Sequence, residues 1–304
     1  MTGILEREIA LAQTQDIREL ARPKLRAVLD EASGVFERCS QTAKGADENL
    51  GILMPFHHGI EMLDGVEALL DASCVVASRP LLRSAHEAGW TVEYVVKEDS
   101  VRRGLCYVVG DLRERIRWYE QHDPETARGA QFAADMKLAE NRDFPLPTPE
   151  DARSAAMRLR DVLAMEHFAP INAEYERTLE KRRSFPWHAL FGGPGNTREL
   201  AEHVGHLDDY IVLYGAWSKT THAVDMSRQV SKNADGRGPA VSVVRAPLGM
   251  PMAYAFACSL GARMTERVLA HYRPEELKRF SKWFLEEITP TTEKLVEMRE
   301  EIAS

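Results

Sequence analysis

A chain of 304 residues, 44% of them hydrophobic, is long enough to bury a sizeable core in one large domain or two small ones. Its formal charge of −8 lacks the basic surplus that non-specific DNA binding draws on, so such binding is not expected. No window reaches the ~18 uncharged apolar residues of a membrane span, and the opening MTGILEREIALAQ has acids where a signal peptide needs bases, so a soluble cytoplasmic protein with no membrane partner is expected.

Thr2 to about Thr42 reads as two helices with a break near Pro23, the first carrying Ile4, Leu5, Ile9 and Leu11, the second Leu25, Val28, Leu29, Ala32 and Phe36. Lys44 to Asp47 is a turn, and Asp47 is placed to cap the next helix, Asn49 to about Ala72. Pro55 either kinks that helix or sets its start.

The segment Ser73 to Glu98 is the one around which the chain is organised. Leu81, Ala85, Ala88, Val92 and Val95 recur at helical spacing on one face. Arg79, Arg83, Glu87, Trp90 and Tyr94 recur on another. Charges interleaved with large aromatics suit a cleft or a second helix better than open solvent.

A further helix spans Val101 to His122, and Pro124 opens another through about Asn141. The linker 144–149 precedes a helix capped by Thr148, from Pro149 to Phe168; Pro170 opens a shorter one to Lys181. Ser184 to Asn196, with two prolines and three glycines, is irregular. Thr197 caps a helix to Val204, and Leu207 to about His222 forms the next. Residues 223–248 are mixed, with Val241 to Val244 a short strand or extended loop. Pro251 to about Tyr272 is a long apolar helix, and Pro274 opens the last, broken near Pro290. The fold class is therefore all-α, a multi-helix bundle of about ten helices.

Motifs for metal and phosphate chemistry are missing. No histidine has an acid three residues before it, as the Glu-x-x-His pairs of a di-metal bundle require; His58-x-x-Glu61 is reversed and His203-x-x-His206 lacks a partner motif. Cys39, Cys74, Cys106 and Cys258 form no C-x-x-C pair and read as reduced, mostly buried thiols. Phe191 to Asn196 is glycine-rich without the Lys-Ser/Thr of a P-loop, and G-x-S-x-G is absent. No metal and no cofactor are expected.

What remains is a pair of polar stripes. Arg83 and Glu87 are four apart on one helix; Tyr214, Ser218 and His222 are four apart on another. Taken singly, each is ordinary: an i,i+4 ion pair worth ~0.3–0.5 kcal/mol when exposed, and hydroxyls bonding their own backbone. Facing each other, they form a candidate site of cation, carboxylate, two hydroxyls and an imidazole, suited to acid–base work on a phosphate ester. Arg83 and His222 are then expected within about 8 Å, two hydrogen-bond lengths plus a water.

The order Arg83-x-x-x-Glu87 followed by Tyr214-x-x-x-Ser218-x-x-x-His222 resembles a bacterial helical family, domain of unknown function 5677, over about residues 50–270. The resemblance implies that residues 1–45 are an added N-terminal helical extension; 46–304 is expected to be a single helical domain with a loop at 144–149, because the chain on neither side of that linker has an obvious independent core. That family is in turn reminiscent of the HEPN helical superfamily, whose active members are metal-independent ribonucleases of toxin and defence systems using Arg-x4–6-His. Here Arg79, Arg117, Arg183 and Arg198 each stand at that spacing before a histidine by chance, whereas His222 has no such arginine, so Arg83 would have to supply it.

Two functions follow as expectations. One is a non-catalytic protein- or ligand-binding module of a bacterial defence or toxin-type system. The other is a HEPN-like ribonuclease or small-pocket hydrolase using the Arg/Glu/Tyr/Ser/His cluster. RNA or a small molecule is the expected ligand, and a homo-oligomer is expected because Met250 to Ala270 is apolar around much of its circumference.

Overall fold

The structure is a computed structural model that describes residues 4–43, 47–138, 146–215, 217, 230–232, 239–241, 243–245 and 247–303. It is an all-α multi-helix fold with one short two-stranded ribbon, β1 (Val230–Lys232) antiparallel to β2 (Pro239–Val241), pairing Ser231 with Ala240. The chain divides into two compact units: Met1–Ala46 with Ile52–Glu98 and Thr197–Ser304, and Asp47–Gly51 with Asp99–Asn196.

The first unit holds α1 (Arg7–Gln13), α2 (Gln15–Thr42), nearly all of α3 (Leu50–Asp71) and α4 (Val75–Lys97). The break near the N-terminus falls at Thr14, whose hydroxyl donates to the Ala10 carbonyl and bonds Ser73 Oγ at 2.8 Å. Pro23, the expected breaker, lies inside α2. A mid-helix proline costs about 3 kcal/mol. Ile17, Ala21, Leu25, Val28, Leu29 and Ala32 are all buried on the same face, and each large aliphatic contributes ~1.5–3 kcal/mol, so continuity of the buried stripe outweighs the lost bond. Pro55 and Pro80 likewise sit within α3 and α4.

Buried Glu67 on α3 is clamped by two arginines of α2, accepting from Arg22 Nε at 2.6 Å and Arg26 Nε at 2.8 Å. Arg22 also meets Asp71 at 2.9 Å.

Further along the same unit come α9 (Thr197–Val204) and a single turn, α10 (Leu207–Asp209), which continues as a π-turn over Tyr210–Tyr214. The central helix is α11 (Met250–Tyr272), packed against α2, α4 and the C-terminal helix α13 (Thr289–Ala303). Of its 23 residues 14 are buried, so the apolar circumference read from the sequence is used within the chain. The segment α12 (Pro274–Trp283) joins α13 through a second π-turn, Phe284–Ile288, which ends just before Pro290.

The second unit is built on α5 (Ser100–Glu120), with α6 (Ala127–Leu138), α7 (Pro149–Leu163), α8 (Ala169–Lys181) and a 3-10 segment, Trp187–Gly192. Leu105, Cys106, Val109, Leu112 and Ile116 of α5 form one wall of its core, opposite Leu163, Phe168, Ile171, Tyr175 and Leu190. Thr148 caps α7 as expected, accepting from the Asp151 amide at 3.2 Å. α6 begins at Ala127 rather than Pro124, because the Thr126 hydroxyl accepts the Gly129 amide at 2.9 Å. No helix among the described residues is long and apolar enough to cross a membrane.

Candidate functional site

All the polar chemistry of interest in the first unit radiates from α4. Of its expected apolar face Ala85, Ala88, Val92 and Val95 are buried, and Leu81 is half-buried. On its second face the aromatics are covered, Trp90 at 0% and Tyr94 at 4% exposed, while Arg83 and Glu87 are half-buried. Side chains seven apart on a helix share a face, and this face also carries His86 and Glu93, both buried.

Of the five residues expected at the site, three meet. Arg83 Nε lies 3.2 Å from Glu87 Oε1, and Arg83 Nη2 donates to the Tyr214 hydroxyl at 2.6 Å. The guanidinium also lies 4.3 Å from the Tyr214 ring centroid. Burial, and then the neighbouring Glu87 carboxylate, push the Tyr214 phenol above its ordinary value against the pull of Arg83, so it stays neutral at pH 7. Ser218 and His222 lie outside the described residues, and so does the expected approach of Arg83 to His222.

Two turns further along α4 lies a denser network that the stripe pattern did not reveal. Glu93 Oε2 accepts from His206 Nε2 at 2.9 Å. The other ring nitrogen, Nδ1, faces Arg263 Nη1 at 3.1 Å, and that same Nη1 donates to Asp209 Oδ2 at 2.9 Å. A guanidinium can only donate, so Nδ1 accepts and the proton sits on Nε2, where Glu93 receives it. Arg263 Nε is also 3.2 Å from Glu93 Oε1, close enough as ions but not aligned as a hydrogen bond. Arg267 Nε approaches Glu93 Oε2 at 3.7 Å.

The network therefore takes one carboxylate from α4, an imidazole and a carboxylate from the start and end of α10, and two guanidiniums four apart on α11. Two of its signals were in the sequence. His86 and Glu93 are seven apart, and Arg263 and Arg267, with Glu266 between them, interrupt a largely apolar helix.

Aromatic rings close one side of this network. The Trp90 ring lies 5.7 Å from both His86 and Tyr214, His86 lies 5.4 Å from Trp217, and Tyr210 stacks on Tyr214 at 4.9 Å. The π-turn over Tyr210–Tyr214 presents both tyrosines to this cluster. Neither nitrogen of His86 forms a hydrogen bond, and Asp209 Oδ2, at 3.9 Å from Nδ1, is too far to accept one. Burial, and then the Arg263 charge, hold the His86 imidazole down at about 4, with Asp209 opposing.

On the other side, Glu93 forms part of the wall of a cavity of about 400 Å³. Among the described residues, no group of three or more His, Cys, Asp or Glu side chains is placed to hold a metal ion.

Residues 52–237 match the model of a family of unknown function, DUF5677, over more than half of the chain. The chain belongs to that family. The matched segment holds Arg83, Glu87, Glu93, His206, Asp209 and Tyr214; Arg263 and Arg267 lie beyond it. No curated protein and no solved structure gave a significant match to the chain.

Proposed function

We propose that the chain is a non-catalytic helical module that binds a small anionic ligand at the polar network of α4. One observation carries this reading: both nitrogens of His206 are engaged by the protein itself, one by Glu93 and one by Arg263. An acid–base catalyst needs a ring nitrogen within reach of its substrate, whereas a binding site gains from ions already held in place.

The setting belongs to the proposal as well. A HEPN-like core and a bacterial defence or toxin-type system rest on the resemblance of the two motifs; a cytoplasmic location rests on the four free thiols, which suit a reducing compartment. A homo-oligomer belongs to the proposal too, for which Ile211 and Val212, exposed on the π-turn, supply apolar surface. Light scattering should show a mass above that of the monomer at micromolar concentration, and a monomer there removes this part.

A second reading is a metal-independent ribonuclease or small-pocket hydrolase. Its support is the meeting of Arg83, Glu87 and Tyr214, three members of the cluster it requires. One experiment separates the two. The purified protein is incubated with total RNA and with an extract of small metabolites, and retained and converted species are both measured. The binding module retains a small ligand and leaves RNA intact. RNA cleavage that His222→Ala abolishes overturns the module in favour of the nuclease.

A further inference from the structure

We infer that the cavity beside Glu93 is a subsite for a hydroxyl-bearing phosphomonoester, with the phosphate held by Lys97 and Arg267 and a hydroxyl donated to Glu93. This rests on the binding-module reading and names the ligand class that the site would take.

The volume, about 400 Å³, falls in the usual range for small-ligand pockets. Glu93, Lys97, Arg267 and His271 make its polar wall, and Val96, Val204 and Ala270 its apolar wall. The two cations come from different helices, Lys97 from the last turn of α4 and Arg267 from α11. Lys97 spends one of its three donors on the His203 carbonyl, at 2.5 Å. Arg267 is 54% exposed and donates no hydrogen bond among the described residues. A guanidinium carries five N–H donors and suits a phosphate, while an ammonium beside it adds a point charge.

The opposite requirement comes from Glu93. It is 4% exposed, and its Oε1 accepts no hydrogen bond. An ionised carboxylate offers only acceptor positions, so a ligand reaching it must bring a donor. A hydroxyl does so without adding charge. His271, also on the wall, is held below its ordinary value by burial and is neutral at pH 7. Among the lining groups, two cations then stand against one anion, which leaves a positive balance for the phosphate. Val96, Val204 and Ala270 provide apolar contact for a carbon skeleton between the two ends. Inorganic phosphate lacks that skeleton and the hydroxyl arm, and free ribose lacks the anion.

Calorimetric titration at pH 7.5 with ribose 5-phosphate, adenosine monophosphate, inorganic phosphate and ribose tests this on the full chain. Either or both phosphomonoesters should bind saturably, at least tenfold more tightly than inorganic phosphate, with no detectable binding of ribose. Binding of ribose 5-phosphate marks a sugar-phosphate site, and binding of adenosine monophosphate alone marks a nucleotide site. Arg267→Gln and Lys97→Gln, both at exposed positions, should each weaken binding at least tenfold while keeping the wild-type helical content by circular dichroism. Glu93→Gln should erase the advantage over inorganic phosphate.

If neither phosphomonoester binds the wild type, or if Arg267→Gln binds as tightly as the wild type, the assignment is wrong. A ligand retained from extract with no dependence on Arg267 would remove this subsite and leave the binding module standing. Extract that yields no retained ligand would remove the module itself.

Discussion

Burial of His86 among Trp90, Trp217 and Arg263 gives the fold a definite pH signature. Its imidazole ionises at about 4 in the native state against 6.5 ordinarily. Between those values the unfolded chain binds the extra proton, so stability is complete above about 6.5 and falls as the pH drops toward 4. The loss is on the order of 3 kcal/mol, set by 1.36 kcal/mol for each pKa unit. The charged and titratable groups facing the ring are Asp209, His206 and Arg263, and the first opposes the shift. Between pH 7.5 and pH 5 the urea midpoint of the wild type should fall relative to that of His86→Phe, which lacks the titrating group. Parallel curves would mean that His86 does not carry the slope. At Tyr214 the expected effect is smaller. Tyr214→Phe removes an acceptor from Arg83 that Glu87 partly replaces, so a cost of about 1 kcal/mol is expected from chemical denaturation.

Among the helices, two glycines show how packing reverses a propensity rule. Glycine to alanine inside a helix ordinarily gains up to about 1 kcal/mol. At Gly34 on α2 a Cβ would meet only the flexible Arg38 guanidinium, at 3.1 Å, so Gly34→Ala should stabilise by a few tenths to about 1 kcal/mol. At Gly104 on α5 a Cβ would collide with the Glu48 carbonyl, and a Cβ added at Gly51 would in turn come within 2.5 Å of the Gly104 Cα. Backbone cannot swing aside, so Gly104→Ala should destabilise by about 1–3 kcal/mol. Thermal melts of the two variants should move in opposite directions. A clamp of another kind ties α2 to α3. Glu67→Ala leaves Arg26 without its carboxylate and Arg22 with Asp71 alone, and both guanidiniums reach solvent. The cost should therefore be nearer 1–2 kcal/mol than the 3–5 of a sealed ion pair.

The helices themselves were legible because their apolar periodicity is strong; the exceptions were local. Pro23 read as a break, and the burial on either side overrode it. Arg83 and Glu87 were legible as a pair because residues four apart announce themselves along one helix, and the contact of Arg83 with Tyr214 followed from setting the two stripes face to face. The Glu93 network was not, since its members come from α4, α10 and α11 and no single helix displays it. His206 looked like half of an unfinished metal motif, when its partners are a distant carboxylate and a distant guanidinium.

For the molecule as a whole, the charge of −8 bears on which ligand the site takes. A long polyanion such as RNA meets the field of the entire acidic surface, whereas a phosphomonoester inside the cavity feels chiefly charges within a Debye length, about 8 Å at physiological salt. Bulk RNA should accordingly compete poorly with ribose 5-phosphate for the wild-type protein. The central claim is that the α4 network binds and does not turn over its ligand. Equilibrium dialysis against ribose 5-phosphate and adenosine monophosphate, with mass spectrometry of the recovered ligand, tests both halves together. The expected result is saturable retention of at least one of them, recovered chemically intact, and at least tenfold weaker retention by Arg267→Gln. Recovery of dephosphorylated or cleaved product, formed by wild type and not by His206→Asn, would contradict it.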